Sequence, residues 1–130
     1  MRKASNGPTP MEVTYLRVLW HLGPSTARRV FEALVEEGED TNYPAVLRMM
    51  QLMTEKGLLA RNEEERSHVY RPAQERELTQ GSLLEDLLER VFDGNTLEML
   101  AATLSRRKMK PQEREEVTRL LAQADGKRKR

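Results

Sequence analysis

Arg48 is the side chain in this sequence best placed to recognise another molecule. At about 100° per residue, Pro44, Arg48, Gln51 and Glu55 fall on one side of a helix whose other side carries Val46, Met49, Met50 and Met53. A guanidinium on such a polar face can make two parallel hydrogen bonds to a guanine edge, worth about 1–3 kcal/mol of base discrimination. The plain alternative is a solvated arginine. Asn42, Tyr43 and Ala45 stand at the start of the same helix, where Asn42 and Tyr43 can meet bases or phosphates or simply cap and pack. Gln51, deeper along the helix, is a weaker candidate.

A second set of cations follows in Arg66, His68 and Arg71. They flank and occupy a Ser-His-Val-Tyr-Arg run with strand character, and a strand beside a helix can rest its charges on phosphates without base geometry. Alternation sets Val69 opposite His68 and Tyr70, so the three cannot all face one partner. Packing of His68 and Tyr70 against the helices is the competing reading. Arg28 and Arg29 open another helix, where positive charge opposes the helix dipole. Such a conflict is expected of a phosphate contact and equally of an exposed face.

No catalytic constellation accompanies these residues. His21 and His68 are the two histidines and lie on separate elements, without paired His-Glu spacing, so no metal site is expected. Met49, Met50 and Met53 read as core filler. Glu63-Glu64-Glu65 belongs to a turn, and Glu113, Glu115 and Glu116 open a helix, where carboxylates suit the dipole. The chain contains neither a Ser-His-Asp arrangement nor a glycine-rich phosphate loop. An enzyme and a cofactor are both unexpected.

The elements that must position these side chains are mostly helical, because apolar residues recur at 3.6-residue spacing. Thr9, Pro10 and Glu12 compose a capping box with proline at the first helical position, starting a helix that runs to about Leu22 before Gly23-Pro24. Ser25 or Thr26 caps a second helix to about Glu37, stopped by Gly38. A third begins near Pro44, which pushes Tyr43 out of the helical region, and ends at Gly57. Strands at Leu58–Asn62 and Ser67–Pro72 form a hairpin around Glu63-Glu64-Glu65-Arg66. Three helices and a hairpin are the order of a winged helix-turn-helix, whose third helix enters the major groove.

The remainder is helical. One long helix spans about Ala73 to Phe92, its start open to a kink at Gly81; Thr96 caps a second and Pro111 starts a third. Their apolar stripes comprise Leu84, Leu87, Leu88, Val91 and Phe92, then Leu97, Leu100 and Leu104, then Val117, Leu120 and Leu121. Three short helices cannot bury these stripes alone, so a two-fold interface with a second copy is expected. The resulting fold class is mainly α, with residues 1–8 a flexible N-terminus, 9–72 the winged helix, 73–124 the dimerisation region and 125–130 a basic flexible tail.

The chain is 130 residues long, contains 22 Lys and Arg against 21 Asp and Glu, and has no cysteine. That length excludes a large multi-domain enzyme, and the charge balance excludes a polyanion-coating tail. Missing cysteine removes disulfides, thiolate metal sites and cysteine nucleophiles. The start lacks a secretory leader's apolar stretch, so a cytoplasmic protein is expected.

Several runs resemble the BlaI/MecI family of penicillinase and methicillin-resistance repressors. They are Tyr15 to Trp20, Val46 to Met50 continuing through Glu55-Lys56-Gly57-Leu58-Leu59, Arg66 to Pro72, Phe92-Asp93-Gly94, and Pro111 to Leu121. The resemblance implies a homodimeric repressor on double-stranded DNA with a palindromic operator. It also implies a membrane sensor metalloprotease as partner, cutting an Asn-Phe bond in the middle C-terminal helix; Ala102-Thr103 stands at that place here. Pro44-Ala45 replaces the family's frequent Thr-Thr or Lys-Thr, and Leu52 a frequent arginine, so a different operator is expected. The family's copper-responsive branch uses C-terminal cysteines, which this chain lacks. The alternative function is a winged-helix protein-interaction module without sequence-specific DNA binding.

Overall fold

The computed structural model describes residues 7–64 and 66–128, with side chains through 124. Most of the expected flexible N-terminus, Glu65 of the hairpin turn, and the side chains of the basic tail therefore lie outside the described residues. Helix α1 covers Pro10–Leu22, strand β1 Ser25–Thr26, α2 Ala27–Glu36 and α3 Tyr43–Glu55; then come β2 at Leu59–Asn62, β3 at Val69–Pro72, α4 at Arg76–Phe92, α5 at Thr96–Arg106 and α6 at Pro111–Arg128. The chain divides into two compact units, residues 1–84 and 85–130.

In the first unit, local chemistry sets each helix end. The Thr9 hydroxyl accepts from the Glu12 N–H at 3.2 Å and the Glu12 carboxylate accepts from the Thr9 N–H at 2.9 Å, closing the capping box. Thr26 caps α2 by accepting from the Arg29 N–H, and Asn42 caps α3 by accepting from the Ala45 N–H. Helix α3 ends in a Schellman motif. The Gly57 N–H donates to the Thr54 carbonyl and the Leu58 N–H to that of Met53, with Gly57 at φ +87°.

The caps hold α1, α2 and α3 around one core in which Leu16, Leu19, Val30, Leu34, Val46, Met50, Met53 and Tyr70 are buried. Met50 and Met53 fill this core as their helical spacing predicts, while Met49 is half-buried at its edge. Glu12 is also buried, and Lys56 reaches across to it with Nζ at 2.8 and 2.9 Å from the two carboxylate oxygens. Burial pushes the Glu12 carboxyl up, but hydrogen bonds from Lys56 and Thr9 and the ammonium charge outweigh it, and hold the group below its ordinary value.

The structure corrects several sequence expectations. The hairpin is joined by β1, giving a three-stranded antiparallel sheet in the order β1-β3-β2, with Ser25 opposite Tyr70 and Thr26 opposite Val69. Two residues are too few to show alternation, so β1 exists only through pairing. Leu58 closes the α3 cap instead of starting β2, and Ser67 and His68 precede β3. Tyr43 is the first residue of α3, because extended Asn42 takes the capping position and the Tyr43 ring packs on Phe31. Asn95 caps α5 in place of Thr96, and α4 begins at Arg76 and passes through Gly81 unbroken.

The second unit has a different character, because among its described residues none is buried. Leu87, Val91, Leu97, Leu100, Leu104, Val117, Leu120 and Leu121 are exposed, Leu97 at 76%, whereas Leu88 and Phe92 are half-buried. Such a large apolar area left in water is far from the usual state of a completed domain.

Candidate nucleic-acid interface

One turn apart along α3, Tyr43, Leu47 and Gln51 form a wall of a groove of about 260 Å³. Its other walls are Thr26, Ala27 and Arg28 at the start of α2, and Arg66, Ser67 and His68 ahead of β3, with Tyr70 between. Pairing of β1 with β3 is what brings the start of α2 beside the wing. Among the described residues, no carboxylate lines this groove.

The charges within and around it are not tied up in ion pairs: among the described residues, Arg28, Arg48, Arg66 and Arg71 make none. The Arg28 guanidinium carbon lies 4.3 Å from the Tyr43 ring centroid and 5.9 Å from that of Phe31, and the two rings meet edge to face at 6.3 Å. This stacking holds the cation beside the N-terminus of α2, whose free N–H groups already favour an anion. The wing's other arginine is differently placed. Arg61 is bound to Glu63 at 2.7 Å, and that hydrogen bond and charge hold the Glu63 carboxyl below its ordinary value.

The sequence-predicted residues therefore separate into groups. Arg28, Tyr43, Gln51, Arg66 and His68 are gathered into the groove. Arg48 lies outside it, exposed on the outward face of α3 one turn from Gln51. Asn42 spends its side-chain oxygen on the helix cap. Ala45 faces a different depression, beside Met11, Glu39, Asp40 and Met49, whose carboxylates would repel a phosphate. Arg71 pairs across β2 with Ala60 and points to the sheet face opposite Tyr70. Sequence reasoning missed the hydroxyls of Thr26 and Ser67; the Thr26 cap was visible, but its place beside the wing depends on β1.

The penicillinase repressor family model matches residues 8–123, from just before the α1 cap into α6. The chain belongs to this family. As a penicillinase repressor family member it is a transcriptional repressor of the DNA-binding kind, and its winged helix and C-terminal helices agree with that family. No curated protein matches the chain. In this repressor, Ala102-Thr103 lies inside α5, with the Thr103 hydroxyl donating to the Met99 carbonyl at 2.9 Å. Among the described residues no group of three His, Asp or Glu is gathered as a metal site requires, and no helix is long and apolar enough to cross a membrane.

Proposed function

We propose that this repressor acts as a homodimer that reads a dyad-symmetric operator with the outward face of α3 and holds the flanking phosphates with the groove beside it. The observation that carries the reading is the groove in which, among the described residues, Arg28 and Arg66 stand with His68 without a carboxylate or an ion pair, beside a polar helix face bearing Arg48. Arg48 and Gln51 read base edges; Arg28, Arg66, His68 and the Thr26 and Ser67 hydroxyls hold phosphates, and Tyr43 orients Arg28. Asn42 acts by fixing the start of α3, and Arg71 serves outer backbone contacts. The exposed apolar faces of α4, α5 and α6 supply the two-fold interface, with Leu84, Leu88 and Phe92 extending the stripe of Leu87 and Val91.

Net charge supports selective binding over indiscriminate coating. Residues 1–75 carry 10 Lys and Arg against 11 Asp and Glu, so affinity depends on local placement and on doubling by the dimer. The test is to select the operator from randomised duplexes and to compare Arg48→Ala with wild type on that operator and on scrambled DNA. Loss of about 1–3 kcal/mol on the operator alone is expected. Equal loss on both would refute base reading by Arg48, and salt-insensitive binding would favour a protein partner.

A further inference from the structure

A second depression, of about 390 Å³, is lined by Arg17, Trp20 and His21 of α1, Glu37 at the end of α2, and Arg76 and Gln80 of α4. It shares no residue with the groove beside α3. Its volume lies within the range of about 300–1,000 Å³ common to small-molecule sites. Among the described residues Glu37 is its one acidic side chain, and Arg17 already holds that carboxylate at 3.2 Å. Arg76 has no carboxylate partner among the described residues; its guanidinium carbon lies 5.8 Å from the centre of the Trp20 ring. The Trp20 indole N–H is closed off from solvent and has no acceptor among the described residues, so the indole presents only its apolar surface to the hollow. His21, one of the two histidines, adds a further donor to the same wall.

Arg76 and His21, neither of them in an ion pair among the described residues, stand beside an apolar ring and complement an acid carried on an apolar body. We propose that this hollow binds a small organic carboxylate, with its carboxylate on Arg76 and His21 and its apolar part on the Trp20 indole. Arg76 and Gln80 occupy the first two turns of α4, so an occupant would tie those turns to α1 and make the site a place where a small molecule bears on the repressor. DNA phosphate is a poor match, because the hollow offers an indole wall and a paired carboxylate where the groove offers neither.

Trp20 is the single tryptophan of the chain, so its fluorescence reports on this hollow alone. Benzoate is titrated into the full-length protein at constant ionic strength without DNA, with benzyl alcohol as the uncharged counterpart. A saturable change with benzoate, and none with benzyl alcohol, is expected. Arg76→Ala should weaken it at least tenfold and Arg76→Glu should abolish it; Arg76 is exposed, and circular dichroism verifies that both variants keep their helices. A linear, unsaturable response, an equal response to benzyl alcohol, or an unchanged affinity in both folded variants would overturn the proposal. None of these results bears on operator binding, which is measured separately.

Discussion

Arg66→Ala puts the phosphate role of the wing to a quantitative test. Arg66 is exposed, makes no ion pair among the described residues and stacks on no ring, so its removal should change folding stability by no more than about 0.5 kcal/mol. Each phosphate neutralised on duplex DNA contributes about −0.9 to the slope of log K against log salt. A dimer places two wings on the operator, so the variant's slope should be shallower by about 1.8. Between about 50 and 200 mM salt, a fourfold change, that difference amounts to about twelvefold in affinity. The assay is fluorescence anisotropy of a labelled operator across a salt series. The ratio of operator to scrambled DNA should stay within about threefold, since phosphate contacts carry no sequence information directly. An unchanged slope would refute the assignment, and a collapsed ratio at unchanged slope would move Arg66 to the base edges. Arg61→Ala supplies the contrast: that guanidinium is occupied by Glu63, so a smaller change of slope is expected.

Three other outcomes follow from the same structure. Glu12→Gln should cost about 1–2 kcal/mol by chemical denaturation, since it removes the charge that meets Lys56 in a buried position. Because the folded-state acidity of Glu12 is strengthened, its contribution is present above about pH 4.5 and is lost as pH falls through the lower folded value. The Gln variant should therefore lose less stability than wild type over that acid range, and an identical acid profile would contradict the role of the pair. Gly57→Ala should destabilise by about 1–2 kcal/mol from backbone conformation alone, since a Cβ at φ +87° meets no neighbouring atom; an unchanged midpoint would refute this. Leu87→Glu should yield a monomer in sedimentation and weaken operator binding, whereas a persistent dimer would place the interface elsewhere.

How much of this was legible beforehand depended on whether the signal was local. The bounds of α1 follow from Thr9, Pro10, Glu12 and Gly23, which act within a few residues of one another. The core face of α3 follows from the spacing of Val46, Met50 and Met53. Strand β1 was invisible because its two residues become a strand only by bonding to β3, some forty positions later. The same distance effect governs the site. Arg28, Tyr43 and Arg66 were each recognisable as candidates, but their convergence around one groove depends on α2, α3 and the wing packing on a common core. Ala45, equally a candidate, turns out to face Glu39 and Asp40.

The sequence by itself determined the family, the order of helices and hairpin, and the outward position of Arg48, because caps, glycine stops and helical periodicity are properties of neighbouring residues. Only the tertiary structure decided which cations stand together, that Arg61 is paired with Glu63 while Arg66 makes no ion pair among the described residues, and that Tyr43 stacks on Arg28. Charge availability is set by what lies within a few ångströms in space, and chain spacing cannot state that until the core has brought the elements together.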